Sequence, residues 1–171
     1  MADPADAFSR FDAGAPVGLA ELPGRWRGRE LPTGSRLDGL LEAYGWYGKE
    51  FVDPESVHPL LFRDRAGRPF PVDPALAPLG LLVRHPALFR SPVARLGFAG
   101  LAPVRRTSRP AARVRMVEHR GVVSAAVVYD ALPIVDVLRR VDGDTLLGLM
   151  DLRGLPEPFF FLHERDGQSP R

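Results

Sequence analysis

The sequence predicts a mainly β protein, built as an antiparallel barrel of about eight strands with a few short helices. Two observations lead to this fold. From residue 111 to residue 165 the pattern has the period of 2 typical of strands, with a β-branched run at 122–129 that is apolar on both faces, and short polar turns separate five candidate strands. Three more candidate strands lie between residues 22 and 62. Short connections favour pairing of neighbouring strands, and about eight strands let a sheet close around side chains or one small ligand.

Composition excludes several classes of protein. The chain has 171 residues, enough for one domain that buries roughly two thirds of its unfolded surface. Its net charge of +2 is too small to indicate a polyanionic partner, and Lys49 is its only lysine. Because cysteine is absent, disulfides, thiol nucleophiles and thiolate metal sites are excluded.

The N-terminal segment, residues 1–21, is predicted as a tail. Its acidic residues and lack of a continuous apolar core argue against a signal peptide. No apolar run in the chain approaches the ~18 residues that span a bilayer, so we expect a soluble cytoplasmic protein. Phe8 and Phe11 could dock one helical turn on the body, either as a lid or as the anchor of a frayed tail.

The first candidate strand, residues 22–31, reads LPGRWRGREL. Side chains alternate between the two faces of a strand, so Gly24, Trp26 and Gly28 share one face and the arginines share the other. We predict that Trp26 plugs one end of the barrel. The two glycines would let another backbone approach closely.

The remainder of the first half, up to residue 72, contains one helix and two more strands. Ser35 is a good N-cap for a helix at 36–44, where leucines recur at helical spacing. Strands are predicted at 46–51 and 57–62, and Pro59 restricts the second to an edge or a bulge.

Residues 73–104 change character, because leucines alternate with prolines that forbid one long helix. We predict an insertion of two or three short helices that packs against the barrel and covers its mouth. The second half, residues 105–165, then supplies the five-strand meander, with strands at 111–118, 122–129, 134–141, 145–151 and 158–165. We expect a single barrel domain at 22–165 and a tail at 166–171.

Several motifs, taken in order, resemble a known family. In the first half they are GRWRG at 24–28, PTG at 32–34, GWYGK at 45–49 and PLLF at 59–62, which resemble the GXWXG domain. In the second half they are RG at 120–121, YDALPIVD at 129–136 and GLMD at 148–151, which resemble the domain of unknown function that usually follows it. The resemblance covers roughly residues 22–165 and implies a β-barrel that binds lipid or phospholipid.

A second resemblance concerns architecture. A Gly-X-Trp near the start of an antiparallel barrel is similar to the lipocalin and fatty-acid-binding group, which implies a calycin-like barrel. In that group an arginine from the last strand packs over the tryptophan. Arg165, at the end of the last predicted strand, is the matching residue.

The candidate site consists of polar residues within apolar strands. Asp130, Asp136 and Asp151 each interrupt or end such a strand, and an unpaired buried carboxylate is costly. Each should therefore meet a donor, for example Lys49 or Arg165. Three interpretations stay open: a structural pair or turn cap, an anchor for a ligand's polar end, or, for Asp130 or Asp136, a general base.

Aromatic residues could complete this site. Trp46, Tyr47 and Tyr129 could line a cavity and offer hydrogen-bonding groups, or could be plain core. Lys49 is either a ligand for a carboxylate or phosphate or a solvated edge lysine. The histidines have no metal-ligand spacing, and His163 reads as a satisfied core residue. We predict no metal and no cofactor, and no familiar enzyme motif is present.

A basic segment could contact anionic surfaces. Arg105, Arg106 and Arg109 could meet phospholipid headgroups in a peripheral membrane contact, or form a solvated linker. Aromatic residues that would stack on bases are absent from this segment, which argues against nucleic acid.

The sequence therefore predicts a non-enzymatic carrier that holds a fatty acid, a phospholipid or a similar small amphiphile in its barrel. One alternative is a small-barrel enzyme that uses a buried aspartate as general base on a hydrophobic substrate. Another is a structural or interaction module whose interior is filled by side chains. The residues leave catalysis and oligomeric state open.

Overall fold

The computed structural model describes residues 2–64, 66–101 and 106–167. Its strands are β1 (Gly24–Leu31), β2 (Trp46–Asp53), β3 (Ser56–Arg63), β4 (Pro69–Pro71), β5 (Ala112–His119), β6 (Val122–Tyr129), β7 (Ile134–Asp142), β8 (Thr145–Leu152) and β9 (Phe159–Arg165). Its helices are α1 (Pro4–Ala13), α2 (Leu40–Ala43), α3 (Leu79–Arg84), α4 (Pro86–Phe89) and α5 (Pro92–Leu101).

Eight of the strands close into a ring. The order runs β2-β1-β9-β8-β7-β6-β5-β3, and β2 also pairs with β3, while the short β4 extends the sheet beside β3. Every pairing is antiparallel. The predicted fold class, an antiparallel barrel of about eight strands with a few short helices, is confirmed.

The seam between β3 and β5 is the narrowest contact in the ring. Val57 and Ala112 form its one pair in register. Two further backbone hydrogen bonds support it, from the Ala111 amide to the Val57 carbonyl at 3.0 Å and from the Val114 amide to the Pro54 carbonyl at 2.8 Å. The longer pairings elsewhere carry most of the closure.

Strands β6 to β9 are covered on both faces. Their inner face joins the main core, whereas Ala126, Val137, Leu147, Leu149, Phe160 and Leu162 form a second buried cluster on the outer face. Helix α1 covers that cluster with Ala7 and Phe11, both almost fully buried. The segment predicted as a tail with one anchor therefore contains a ten-residue helix that shields one side of the barrel.

One end of the barrel is closed by the Trp26 indole, which is 1% exposed. Its Nε1 donates to the Leu22 carbonyl at 2.8 Å, and the Arg165 guanidinium lies 4.2 Å from its ring centroid. Arg165 also donates to the Glu21 and Pro23 carbonyls, at 2.7 and 3.2 Å. Since β1 and β9 pair Trp26 with Arg165 in register, the arrangement implied by the lipocalin-like resemblance is present.

Two glycines near Trp26 allow two different close contacts, one with a side chain and one with a backbone. A Cβ at Gly28 would overlap the Trp46 ring, so this glycine makes room for an indole rather than for a backbone. The close backbone approach occurs instead at Gly48, with φ of 144°, where a Cβ would overlap the Trp26 carbonyl. Gly24 also has a positive φ, 117°, at the start of β1.

Helix α2 is much shorter than the predicted helix at 36–44. Gly39 lies in the left-handed region, with φ of 79°, and this conformation ends any helix before it. The buried Glu30 carboxylate of β1 accepts from the Gly39 and Leu41 amides and caps α2 from a distance. Ser35 was the predicted cap. Its backbone carbonyl instead accepts from the Asp38 amide, and this hydrogen bond forms a turn.

The leucine- and proline-rich segment forms the short helices α3, α4 and α5, as the proline spacing predicts. Leu79, Leu82, Phe89 and Phe98 are partly buried against the main core. The Phe98 ring meets those of Tyr44 and Phe62 edge-on, with centroids 4.9 Å apart in each case. The segment therefore packs on the barrel as a helical cover, a name used below for residues 73–101.

Candidate functional site

A cavity of about 120 Å³ lies inside the barrel beneath the helical cover. Its walls are almost entirely apolar and consist of Leu37, Leu40, Leu41, Leu60, Ala77, Leu79, Leu82, Leu132, Ile134, Met150, Phe159 and Phe161. Four residues with polar atoms complete the lining: Trp46, Lys49, Tyr129 and Asp136. A dry cavity of roughly 150 Å³ is large enough to bind benzene. Most ligand pockets are larger, at roughly 300–1,000 Å³.

A buried ion pair forms the floor of this cavity. Lys49 Nζ donates to Asp136 Oδ2 at 2.7 Å, and each of these side chains is 2% exposed. Lys49 Nζ also donates to the Tyr129 hydroxyl at 3.0 Å and to the Pro59 carbonyl at 3.2 Å. The Tyr129 hydroxyl in turn donates to Asp136 Oδ2 at 3.2 Å. All three protons of the ammonium therefore have acceptors.

The ring topology explains how these residues meet. Asp136 lies opposite Val127 in the β6–β7 ladder, and Tyr129 follows Val127 by two residues, so both side chains point inward. Lys49 lies on β2, which is four strands from β7 in the ring of eight, on the opposite wall. The Lys49–Asp136 pair therefore spans the interior of the barrel.

The surroundings favour one protonation state for the phenol. Burial, followed by the charge of Asp136 and the hydrogen bond to it, raises the pKa of Tyr129 well above its ordinary value. Tyr129 therefore stays a donor. Lys49 Nζ lies 5.3 Å from the centroids of both the Tyr129 and Phe161 rings, and these contacts add to its stabilisation.

Two polar atoms of the lining residues are buried without a hydrogen-bond partner among the described residues. They are Asp136 Oδ1, an acceptor, and Trp46 Nε1, a donor. Leaving such a group unsatisfied costs about 1–3 kcal/mol.

His163 lies behind this lining, with its ring centroid 5.6 Å from that of Trp46 and 5.0 Å from that of Phe161. Burial, with a smaller effect of the Lys49 charge, lowers its pKa well below the ordinary value, so the ring is neutral. The ring faces the Arg27 backbone, but neither nitrogen makes a hydrogen bond of normal geometry with the described residues. The expectation of a satisfied core histidine is therefore half right: His163 is buried but not satisfied.

The structure brings together four of the eight predicted ligand-binding residues: Trp46, Lys49, Tyr129 and Asp136. Two others point away from the cavity because neighbouring residues of a strand face opposite sides. Tyr47 follows Trp46, and its hydroxyl donates to the buried Asp166. Asp151 follows Met150 and is exposed.

The remaining two candidates also have other positions. Asp130 lies just beyond β6 and pairs at the surface with Arg113, at 3.0 Å, so it is not placed to act as a base in the cavity. Arg165 packs over Trp26 at the closed end. Of the two candidate bases, only Asp136 lines the cavity.

Some interpretations of single residues are corrected. The solvated edge lysine is wrong, because Lys49 is 2% exposed. Asp166, placed in the predicted tail, is 3% exposed and accepts from Arg27 at 3.3 Å as well as from Tyr47. The apolar lining from α2, β7 and β8 was not predicted, although the inward register of Ile134 with Asp136 could have indicated part of it.

The basic segment is only partly described. Arg105 lies outside the described residues, whereas Arg106 and Arg109 are exposed. Arg106 stacks on the Phe70 ring, 4.6 Å from its centroid. Within the described ranges no cluster of three histidine or acidic residues could hold a metal ion. Nor is any helix among them long and apolar enough to cross a membrane.

Comparison with known proteins identifies both halves of the barrel. The GXWXG protein profile matches residues 9–67, and the domain of unknown function DUF4334 matches residues 110–165. The crystal structure of a protein from Thermomonospora curvata superposes with a TM-score of 0.72 at 31% identity, covering 97% of this chain and 89% of that chain. No curated protein matches. The chain belongs to the GXWXG family, with a DUF4334 domain as its second half.

Proposed function

We propose that this protein binds a small hydrophobic molecule inside its barrel, with the polar end of the ligand against Lys49, Tyr129 and Asp136. One observation carries the proposal: apolar walls enclose a cavity whose floor is a buried ion pair with one unpartnered carboxylate oxygen. Pockets for small molecules usually combine apolar walls with a few placed polar groups.

The volume limits the ligand. A space of about 120 Å³ is slightly smaller than the roughly 150 Å³ of a cavity that binds benzene, so it favours a molecule with a single small ring. A fatty acid or phospholipid tail needs more room, which an outward movement of the helical cover would create. Polar contacts that hold the cover include the Tyr44 hydroxyl to the Phe89 carbonyl at 2.8 Å and Arg90 to the Arg36 and Asp38 carbonyls at 2.8 and 3.0 Å.

A cavity-filling variant tests this proposal. Leu82 lines the cavity, so Leu82→Phe should block it and abolish toluene binding measured by calorimetry. Leu88→Phe is the matched control, because Leu88 is 59% exposed on α4 and should leave binding unchanged. Equal binding by the wild type and Leu82→Phe, or no binding by the wild type and no small molecule extracted from it for mass spectrometry, would contradict the proposal.

Proton abstraction from a hydrophobic substrate is a second candidate function. Asp136 Oδ2 is held by Lys49 and Tyr129, whereas Oδ1 has no partner among the described residues, and a general base needs such a free oxygen. Acetophenone in D₂O is a suitable probe, with exchange of its methyl protons followed by NMR. Exchange no faster than in buffer, or unchanged exchange in Asp136→Asn, would reject this candidate.

The exposed residues of the helical cover support a further proposal, contact with an anionic membrane surface. Leu81, Leu88, Val93 and Leu96 are 48–79% exposed on it. No acidic residue occurs between Asp73 and Glu118, whereas arginines recur throughout this stretch, including Arg106 and Arg109. Exposed apolar side chains among arginines match a surface of anionic headgroups.

Co-sedimentation with vesicles tests that contact. We expect binding to phosphatidylglycerol-containing vesicles that weakens with salt, little binding to pure phosphatidylcholine, and a loss of binding in Val93→Ser/Leu96→Ser. Equal binding to both kinds of vesicle, or unchanged binding by the double variant, would reject the membrane contact.

A further inference from the structure

We infer that the ligand of this cavity is neutral and carries a hydroxyl group that donates to Asp136 Oδ1. The inference rests on the proposed function and names the chemical class of its ligand. It follows from which polar atoms of the floor are already paired and which are not.

The paired atoms exclude several roles. Lys49 has three ammonium protons, and three acceptors take them: Asp136, Tyr129 and the Pro59 carbonyl. Asp136 Oδ2 accepts from both Lys49 and Tyr129, whereas Oδ1 accepts from no described residue. A carboxylate is only an acceptor. The vacant position at the floor therefore calls for a donor on the ligand.

Charge selects among the possible donors. The floor already balances one cation against one anion, and no other charged residue of the described chain lines the cavity. A ligand carboxylate or phosphate would set a second negative charge beside Asp136 in an apolar enclosure. A ligand ammonium would leave an unbalanced buried positive charge. A neutral donor avoids both penalties.

The second unpartnered atom narrows the class further. Trp46 Nε1 is a buried donor on the same lining and needs an acceptor. A hydroxyl is the smallest neutral group that both donates and accepts. An apolar molecule of benzene size with one hydroxyl therefore complements the apolar walls and the acceptor at the floor.

Three probes that share one ring separate these possibilities: benzyl alcohol, toluene and benzoate. By calorimetry at neutral pH, we expect benzyl alcohol to bind about tenfold more tightly than toluene, because its hydroxyl satisfies a buried charged acceptor. Benzoate should bind at least tenfold more weakly than toluene. Benzoate binding as tight as benzyl alcohol, or alcohol binding no tighter than toluene, would overturn the inference.

A double variant tests whether Asp136 causes the preference for benzyl alcohol over toluene. Lys49→Met/Asp136→Leu removes both charges and leaves no buried ion unpaired, so the barrel should still fold. This variant should lose the tenfold preference for the alcohol over toluene. An alcohol preference retained in the double variant would overturn the role of Asp136.

The same titrations distinguish two kinds of failure. If toluene binds but the alcohol is not preferred, the hydroxyl inference fails and the cavity still binds hydrophobic molecules. If none of the three probes binds the wild type, the proposed function fails and the inference fails with it.

Discussion

The two ends of the barrel each hold a cation against aromatic rings, but they differ in whether nearby buried polar atoms have hydrogen-bond partners. At the closed end, Arg165 stacks on Trp26 and donates to two carbonyls, and the Trp26 N–H has an acceptor. At the cavity end, Lys49 is fully paired, yet Asp136 Oδ1 and Trp46 Nε1 have no partner among the described residues.

The difference separates stability from binding. Where the indole N–H and the stacked guanidinium both donate to carbonyls, an aromatic residue and a cation act as a plug that holds strands together. Where two buried polar atoms of the cavity-lining residues have no partner among the described residues, the same residue types leave free energy available to a ligand. Four predictions test this contrast, beginning with the largest expected effect.

Trp26→Ala should lower the free energy of unfolding by about 5 kcal/mol, because it empties a large buried volume and also removes the hydrogen bond to Leu22. Urea denaturation measures this change. A melting temperature equal to that of the wild type would show that Trp26 is not the plug of the closed end.

Lys49→Met should lower the free energy of unfolding by about 3–4 kcal/mol, because it leaves Asp136 as an unpaired buried charge. The Lys49→Met/Asp136→Leu variant should recover most of that loss in the same urea experiment. If the double variant is as unstable as the single one, the contribution of Lys49 is packing rather than charge balance.

Because the pKa of the buried His163 is lowered, the stability of the folded protein should depend on pH. Above the unfolded-state pKa near 6.5 the ring is neutral in both states, but below it only the unfolded chain takes up the proton. Stability should therefore fall as the pH drops below about 6.5. His163→Leu should flatten this fall, whereas His85→Gln, at an exposed site, should not.

Arg165→Met should have the smallest effect, a loss of about 1 kcal/mol from the contact with Trp26, with toluene binding unchanged. Arg29→Met is the control, since the Arg29 side chain is 59% exposed and its pair with Glu164 is long, at 3.6 Å. Weakened toluene binding in Arg165→Met would mean that the two ends do not act separately.

Local patterns predicted most of the fold. Strand β5 alternates with period 2, strands β6 to β9 are mainly apolar runs of seven to nine residues, and short turns join all five, so their existence and order follow from neighbouring residues. The Trp26–Arg165 contact followed from a family resemblance. The bounds of α2 were missed because its cap, Glu30, comes from another strand.

The candidate site was harder to predict, because it depends on ring closure. Nothing near Lys49 in sequence indicates that β2 faces β7 across the interior, and that arrangement pairs Lys49 with Asp136. Strand alternation could have excluded Tyr47 and Asp151 once Trp46 and Met150 were assigned to the inner face. Asp130 differs, because only its position beyond the end of β6 takes it to the surface.

The narrow seam between β3 and β5 bears on how a ligand would enter and leave the barrel. Its one register pair and two flanking hydrogen bonds make it the wall whose amides should exchange with solvent first. Unzipping this seam would widen the barrel. Deuterium uptake at Ala111 and Val114 that slows when a ligand binds would mark the seam as the route by which molecules enter and leave.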